Sequence, residues 1–255
     1  MINEILNING KTAVVTGSTR GIGRSIAEKL CRHGAHVFVN SREKDEVTKC
    51  VDELRKAGCS ADGLSGDGII EEFVIESVKK ICNELGKIDI LINNIGAYEQ
   101  LEIKDISLEK WHQYIDANLT SAFLWTREVA PYMKKNGGGK IINIASIAGI
   151  IGRERNAHYN AAKGGLIAFS KGLAKDLGPF NIKVNVVAPG VILTETVKKM
   201  ANGNENFLNS NLEKTPLQRL GTPDDVANTV LFFASDLSDF ITGQVLTVDG
   251  GFSST

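Results

Sequence analysis

A serine, a tyrosine and a lysine in the middle of the chain have the chemistry of an acid–base site. Ser146 follows the apolar run 140–145, and Lys163 lies four residues after Tyr159. Residues four apart share one face of a helix, so the ammonium group can act on the phenol. A nearby cation lowers the pKa of a phenol, which is ordinarily about 10. The pattern predicts that Tyr159 exchanges a proton with a substrate oxygen held by Ser146, whereas the alternative is an amphipathic pair and a turn serine.

Two predicted elements position these three residues. Lys140–Ala145 is short, β-branched and mostly apolar, which is typical of a strand covered on both faces. Ligands bind at the carboxyl ends of strands in an open parallel sheet, and Ser146 stands at such an end. A helix is predicted from Tyr159 to Leu177. A bound nicotinamide would add a second positive charge beside the phenol while hydride moves at carbon.

The amino-terminal part shows a strand, a glycine-rich turn and a helix in that order. Thr12–Thr16 predicts the strand, and the apolar spacing of Ile26, Ala27 and Leu30 predicts the helix. Glycines let backbone approach a pyrophosphate, and a helix amino terminus offers it free N–H groups. The spacing G-x-x-x-G-x-G differs from the general dinucleotide fingerprint, and a plain tight turn is the alternative. The predicted cofactor-binding residues of the turn are Gly17, Ser18, Thr19, Arg20, Gly21, Ile22 and Gly23.

The end of the second strand indicates which dinucleotide binds. Ala35–Asn40 predicts this strand, and Ser41 and Arg42 follow it. An acidic residue at this place binds the ribose 2′-hydroxyl of NAD, whereas an arginine accommodates the additional phosphate of NADP. No acid stands at the strand end, so the pattern favours NADP over NAD, with Arg20 able to approach the same place. Alternatively, Arg42 is only the solvated start of the helix 43–57.

Other predicted strand ends carry residues suited to a nearby ligand. Asp67 binds adenine or caps the helix Ile69 to Leu85, and Thr194 binds a cofactor amide or caps the helix that follows. Asn94 is expected to tie neighbouring loops together. The predicted cofactor contacts at these ends are Asp67, Gly68, Asn94, Gly96, Pro189, Gly190, Ile192 and Thr194.

An asparagine interrupts a long helical pattern. The helix is predicted over 107–135, with Ser107 as its N-cap. Asn118 lies in the middle, where a side-chain amide competes with backbone hydrogen bonds. It indicates a kink, a bound water or a polar residue satisfied by its surroundings.

The segment 191–214 is predicted to be a substrate lid. It is polar and rich in asparagine, and residues 202–204 are expected to break any helix. Thr222 and Pro223 then begin the last helix as N-cap and first residue. Arg153 and Arg155 precede the tyrosine and either line a substrate mouth or are ordinary loop charges.

Composition excludes several classes of function. The 255 residues suit one α/β domain, and 29 basic against 30 acidic side chains give no field that would attract nucleic acid or an anionic membrane. The start of the chain lacks the features of a signal peptide, and no apolar run approaches the ~18 residues of a membrane span. The four cysteines and four histidines show no metal-ligand spacing. We predict a cytoplasmic protein without a metal, a nucleic-acid partner or a membrane partner.

Taken together, these motifs resemble the short-chain dehydrogenase/reductase family. The resemblance implies one Rossmann-type α/β domain, with a doubly wound, seven-stranded parallel sheet and helices on both faces, a nicotinamide cofactor and a homotetramer. The motifs that carry it run through the chain in family order: Thr16-Gly17-x-x-x-Gly21-x-Gly23, Asn93-Asn94-x-Gly96, Asn118, Ser146, Tyr159-x-x-x-Lys163 and Pro189-Gly190.

The resemblance also implies a catalytic tetrad and a reaction. Tyr159 would be the acid or base, Lys163 would lower its pKa and hold the ribose, Ser146 would orient the substrate, and Asn118 would keep a water in the proton relay. The glycine turn and the closing segment 241–251 are similar to 3-oxoacyl-carrier-protein reductases, which favours NADP-dependent reduction of a 3-oxoacyl thioester ketone. A sugar, polyol or other secondary alcohol is the alternative substrate. A nucleotide-binding regulator without turnover is the alternative class.

Overall fold

A computed structural model of the chain describes residue 6, residues 8–201 and residues 205–254. The seven strands are β1 (Thr12–Val15), β2 (His36–Ser41), β3 (Ala61–Ser65), β4 (Ile90–Asn93), β5 (Gly139–Ile144), β6 (Ile182–Pro189) and β7 (Val245–Val248). The α-helices are α1 (Gly21–Arg32), α2 (Lys44–Lys56), α3 (Glu71–Leu85), α4 (Leu108–Ile115), α5 (Ser121–Lys135), α6 (Ala148–Ile151), α7 (Ala157–Leu177), α8 (Glu195–Ala201), α9 (Glu205–Glu213) and α10 (Pro223–Ala234).

The strands form one sheet in the order β3-β2-β1-β4-β5-β6-β7, and every neighbouring pair is parallel. The predicted fold class, a single doubly wound domain of the Rossmann type, is therefore confirmed. The order reverses direction between β1 and β4. In such sheets a crevice opens at this switch point, outside the carboxyl ends of the strands.

Most strands are largely apolar because helices cover both faces of the sheet, whereas the edge strand β3 contains Asp62 and Ser65. Along β1, Ala13 and Val15 face one side and Val14 faces the other. Helices α1, α2 and α10 supply the core of the first side, with Ile26, Leu54 and Val230 among the residues buried there. Helices α3, α5 and the end of α7 cover the second side, where Val78, Trp125 and Leu177 are buried. The two packed layers hold the strand ends, and so the loops that follow them, in fixed positions.

The long predicted helix is interrupted. Ser107 caps α4 as expected, accepting a hydrogen bond from the backbone N–H of Lys110 at 3.1 Å. A π-helical turn, Asp116–Thr120, then separates α4 from α5. One extra residue in a helical turn shifts the side chains that follow, and such turns are frequent at functional sites. The kink that Asn118 indicated in the sequence is this turn.

The predicted lid contains two helices, α8 and α9, on either side of residues 202–204. The predicted helix break at 202–204 lies outside the described residues. Residues 1–5, on which the absence of a signal peptide was argued, also lie outside them.

The last helix, α10, begins with the N-cap expected from the sequence. Thr222 and Asp225 cap it reciprocally, the Thr222 hydroxyl accepting from the Asp225 N–H and the Asp225 carboxylate accepting from the Thr222 N–H.

Candidate active site

Two clefts open side by side at the switch point of the sheet. The first, which we call the cofactor cleft, encloses about 1220 Å³ between the loops after β1, β2, β3 and β4. The second, the substrate cleft, encloses about 1210 Å³ between the ends of β5 and β6, α7 and α8. Both are lined by Ile22, Asn94, Gly96 and Thr194, so they are continuous.

The glycine turn after β1 brings bare backbone to the floor of the cofactor cleft. Gly17 and Gly21 have φ angles of +60° and +57°, which favour glycine. A Cβ at Gly23 would overlap the Gly17 carbonyl oxygen and lie 2.5 Å from Asn94 Nδ2. No side chain caps the amino terminus of α1. Its first N–H groups are therefore available to an anion in the cleft.

Asn94 holds the two loops of the switch point together, as its sequence context predicted. Its Nδ2 donates to the carbonyls of Thr16 and Gly17 at 3.0 and 2.9 Å. The Thr16 hydroxyl in turn accepts from the backbone N–H groups of Asn94 and Ile95. This network fixes the width of the crevice between β1 and β4.

Ser18 is the one predicted site residue that lies in neither cleft. Its side chain is buried, donates to the Val15 carbonyl at 2.6 Å and accepts from the Asn40 N–H at 3.0 Å. Its own N–H donates to the Asn40 carbonyl. Its side chain and N–H therefore join β1 to β2 rather than facing the cleft.

Arg20, Ser41 and Arg42 line the far end of the cofactor cleft, and a carboxylate to which the sequence gave no role lies next to Ser41. Glu46, in the first turn of α2, accepts from the Thr19 hydroxyl at 3.0 Å and from the Ser41 hydroxyl at 3.4 Å. Neither arginine has an ion-pair partner among the described residues. The sequence could have pointed to this carboxylate, because Glu46 lies only four residues after Arg42, in the first turn of the helix that follows the second strand.

Asp67, Gly68 and Thr194 line the cofactor cleft, and two of them also have local roles. The Asp67 carboxylate accepts from the Ile69 N–H at 3.2 Å and so holds the turn before α3, which begins at Glu71 rather than at residue 69. Thr194 accepts from the Val197 N–H at 3.3 Å and so supports the start of α8. Pro189, Gly190 and Ile192 line the neighbouring substrate cleft.

Ser146 and Tyr159 are brought together by the close packing of α6 on α7. A Cβ at Gly149 would lie 2.6 Å from the Gly164 nitrogen, so only glycine allows this approach. The Ser146 hydroxyl accepts from the Ala148 N–H at 3.1 Å and lies within hydrogen-bond reach of the Tyr159 hydroxyl. Both hydroxyl groups face the substrate cleft.

Burial controls the protonation of the tyrosine and the lysine. It raises the pKa of Tyr159 to about 12, with the hydrogen bond from Ser146 acting in the opposite direction. Burial also lowers the pKa of Lys163 to about 7. Lys163 Nζ donates to the Ile144 carbonyl at 2.8 Å and lies 5.9 Å from the centre of the Tyr159 ring. Because desolvation is the largest influence on this phenol, its pKa lies above the ordinary value rather than below it as the sequence pattern had suggested.

Asn118 contributes a buried acceptor to the same site. The π-helical turn lets its Nδ2 donate to the carbonyls of Ala97 and Tyr114, both at 3.0 Å. Its Oδ1 is buried without a hydrogen-bond partner. A Cβ at Gly96 would lie 2.8 Å from this oxygen and 3.5 Å from Lys163 Nζ. A buried acceptor without a partner beside a polar space is the environment that an ordered water fills.

Two further side chains line the substrate cleft. The Tyr98 ring packs edge-on against Tyr159, with the ring centres 5.1 Å apart. No motif pointed to Tyr98, although it is an aromatic residue shortly after the Asn94-x-Gly96 loop. Arg153, which the sequence left open between a substrate mouth and loop charge, lies in the cleft, whereas Arg155 is exposed and does not line it.

The residues of the cofactor cleft fit a nicotinamide dinucleotide. The glycine turn and the uncapped start of α1 suit a pyrophosphate, and the arginines at one end suit a phosphorylated ribose. At the other end lie Ser146, Tyr159 and Lys163.

Among the described residues, no group of three or more His, Cys, Asp or Glu side chains could hold a metal ion. In the same part of the chain, no helix has both the length and the apolar character required to cross a membrane.

Comparison with known proteins identifies the family. The family model described as Enoyl-(Acyl carrier protein) reductase matches residues 17–253. The chain is 39% identical over 247 residues to the 3-oxoacyl-[acyl-carrier-protein] reductase FabG of Aquifex aeolicus, covering 96% of this chain and 98% of the relative. It is also 39% identical over 247 residues to FabG of Escherichia coli, with the same coverage of both chains.

Solved structures share the fold over nearly the whole chain. A gluconate 5-dehydrogenase from Burkholderia cenocepacia, in complex with NADP and tartrate, is 32% identical, with a TM-score of 0.96 and full coverage of both chains. A 7α-hydroxysteroid dehydrogenase, in complex with NADH and 7-oxo glycochenodeoxycholic acid, is 35% identical, with a TM-score of 0.93 over 97% of this chain and 96% of that one. The chain belongs to the short-chain dehydrogenase/reductase family and is a nicotinamide-dependent oxidoreductase that interconverts alcohols and carbonyl compounds.

Proposed function

We propose that the chain reduces a ketone to a secondary alcohol with NADPH, and that Ser146, Tyr159, Lys163 and Asn118 carry the reaction. The observation that supports this most strongly is the convergence of the four side chains on one cleft that continues into the groove lined by the glycine turn. The family membership supports the same reaction class.

The proposed roles follow from the protonation states of these groups. The nicotinamide cofactor supplies the hydride to the carbonyl carbon. With a pKa of about 12, the Tyr159 phenol is protonated at neutral pH, so it can donate its proton to the carbonyl oxygen. The Ser146 hydroxyl holds that oxygen. Lys163 and a water bound at Asn118 Oδ1 then return a proton to the phenolate.

The arginines at the end of the cofactor cleft support NADP as the cofactor. A guanidinium group binds phosphate through parallel hydrogen bonds, and both Arg20 and Arg42 line this end of the cleft. The carboxylate of Glu46 lies close by and opposes a phosphate. We propose NADP because both arginines lack an ion-pair partner among the described residues, whereas the two nearby carboxylates have hydrogen-bond donors of their own. Glu46 accepts from two hydroxyl groups, and Asp67 accepts from the Ile69 N–H.

A 3-oxoacyl thioester is the first substrate class that we propose, since the FabG relatives carry that activity in their names. A second class, secondary alcohols of sugars and polyols and their acids, is favoured by Arg153, which places a cation in the substrate cleft. The gluconate 5-dehydrogenase neighbour acts on such a compound according to its description. A regulator without turnover is disfavoured by the presence of both Tyr159 and Lys163.

The segment 191–214 is proposed to act as the lid of the substrate cleft. Ile192, Thr194, Thr196 and Val197 line the cleft, which supports this role.

We also propose a homotetramer, as is common in the family. Light scattering tests the assembly, and a mass other than four times that of one chain would contradict it.

Removal of a single hydroxyl group tests the proposed reaction. Tyr159→Phe should abolish NADPH oxidation with every ketone in a panel of thioester, sugar-derived and simple ketones, because no other group donates the proton. NADPH binding, followed by the fluorescence of the reduced nicotinamide, should stay within a few-fold of the parent. Comparable turnover in variant and parent would reject the role of Tyr159. Tight NADPH binding by a parent that reduces no ketone would instead support the regulator.

A further inference from the structure

Arg153 gives the substrate cleft a positive charge that no described carboxylate compensates. Among the described residues, the charged side chains that line the cleft are Arg153 and Lys163, and no aspartate or glutamate lines it. Arg153 is partly buried and forms no ion pair among the described residues. A partly buried guanidinium group without a carboxylate attracts an anion from solution.

Two contacts hold the guanidinium group in place. Arg153 Nη2 donates to Oδ1 of Asn211 at 2.9 Å, and Asn211 belongs to α9 of the proposed lid. The guanidinium carbon also lies 5.2 Å from the centre of the Phe252 ring. These contacts use one of the five N–H donors that a guanidinium group offers. The remaining donors are enough to bind a carboxylate through two parallel hydrogen bonds.

The backbone of Arg153 is tied to the helix that carries the tyrosine. The Arg153 carbonyl accepts from Nδ2 of Asn160 at 2.9 Å, and Asn160 follows Tyr159 directly on α7. The arginine and the phenol therefore belong to one rigid unit and line the same cleft. A substrate that places its carbonyl oxygen at Tyr159 can place a second group at Arg153.

We infer that Arg153 binds a carboxylate of the substrate, so that the chain acts on small oxo and hydroxy acids in preference to neutral ketones. This inference rests on the proposed ketone reduction at Tyr159 and, of the two substrate classes proposed above, favours the acids over the 3-oxoacyl thioesters. The carboxylate accepts two N–H hydrogen bonds from Arg153, and the carbonyl oxygen accepts from Tyr159 and Ser146. A neutral 3-oxo ester or thioester leaves the arginine without a counter-ion.

Matched pairs of acids and esters test this recognition directly. The probes are acetoacetate, laevulinate and 5-oxohexanoate, each beside its methyl ester, with NADPH oxidation as the readout. The series moves the carboxylate further from the ketone one carbon at a time. For at least one chain length, kcat/KM of the parent should be about ten- to hundredfold higher for the acid than for its ester, as expected for a charge-assisted pair.

Variants of two neighbouring arginines distinguish carboxylate binding by Arg153 from a general effect of positive charge in the loop. Arg153→Gln should raise KM for the preferred acid at least tenfold, with little change in kcat and none in the kinetics of the ester. Arg153→Lys should recover part of the loss. Arg155→Gln is the matched control, since it removes the same charge from the same loop at an exposed side chain outside the cleft. This control variant should have the kcat and KM of the parent for both the acid and its ester.

The outcomes distinguish this inference from the proposed function. Equal kcat/KM for every acid and its ester, or an unchanged KM for the acid in Arg153→Gln, overturns carboxylate recognition while ketone reduction stands. An equal loss on acid and ester shows that Arg153 only supports the lid, which also overturns it. No turnover of any acid or ester by the parent rejects ketone reduction and this inference together.

Discussion

At the scale of single residues, the site depends on groups whose charge is weakly compensated. Lys163 is 4% exposed, and its only hydrogen-bond acceptor among the described residues is a neutral carbonyl. The two arginines of the cofactor cleft form no ion pair among the described residues, although Asp67 lines the same cleft and Glu46 lies beside it. We therefore expect an anionic ligand to pair with these arginines. Binding energy and selectivity are therefore concentrated at a few side chains.

Opposite charge changes at the end of the cofactor cleft should shift cofactor preference in opposite directions. Arg42→Asp should move the ratio of kcat/KM for NADPH and NADH towards NADH by about tenfold or more, because it replaces a phosphate partner by a repelling carboxylate. Glu46→Gln should move the same ratio towards NADPH, because it removes a negative charge near the phosphate. Unchanged ratios in both variants would remove the argument for NADP.

At the scale of the elements, close contacts between backbones set the shape of the clefts. The glycine turn meets the Asn94 loop at Gly23, and α6 meets α7 at Gly149 and Gly164. The helix α1 packs on α10, and Lys29 of α1 forms an ion pair with Asp224 of α10 at 2.8 Å. A change at one of these contacts alters the cleft even though it adds no charge.

Two glycine-to-alanine changes should have opposite effects on the fold. Gly23→Ala places a methyl group against the Gly17 carbonyl and the Asn94 amide, so it should lower the free energy of unfolding by about 1 to 3 kcal/mol and weaken NADPH binding. Gly172→Ala adds the same group to α7 where no atom lies within 4 Å. It should raise the free energy of unfolding by up to about 1 kcal/mol, as expected for alanine in a helix.

Urea denaturation and NADPH fluorescence titration measure both effects. Gly172→Ala serves as the control for the added methyl group and should bind NADPH like the parent. Equal free energies of unfolding for the two variants would show that the glycine turn relaxes around the new methyl group. This result would contradict the close contacts described for Gly23.

At the scale of the whole molecule, the sheet collects segments that are far apart in the chain. The substrate cleft draws on Tyr98, Arg153 and Tyr159 and on the segment after β6, while Phe252 from the end of the chain supports Arg153. A group buried at this centre is desolvated only when the entire domain is folded. Its titration is therefore linked to global stability.

The lowered pKa of Lys163 predicts a pH dependence of folding. Between about pH 7, where the folded lysine titrates, and about pH 10.4, where the unfolded one does, the unfolded state binds a proton that the folded state lacks. Stability from this group therefore rises with pH in that window. The free energy of unfolding of the parent minus that of Lys163→Met should rise by about 1 to 3 kcal/mol from pH 7 to pH 9, measured by urea denaturation without cofactor. Parallel pH curves would contradict the burial of this charge.

Local patterns in the sequence determined the architecture and most of the site. Apolar runs predicted β1, β2 and β5, because a strand covered on both faces is mostly apolar. The parallel order places every strand end at one edge of the sheet, which is why residues after different strands, such as Gly17, Ser146 and Gly190, line the two connected clefts. The N-caps at Ser107 and Thr222 were also predictable, since capping depends only on neighbouring residues.

Only the tertiary structure decided what depends on long-range contacts and burial. Ser18 turns into the fold because its hydroxyl and N–H bond to Val15 and Asn40, which sequence spacing does not reveal. The pKa of Tyr159 rises instead of falling, because packing by distant segments removes the phenol from water. Arg153 became a cleft residue through contacts with α9 and the chain end. Local spacing determines which groups are near in sequence, whereas packing determines which of them lose water.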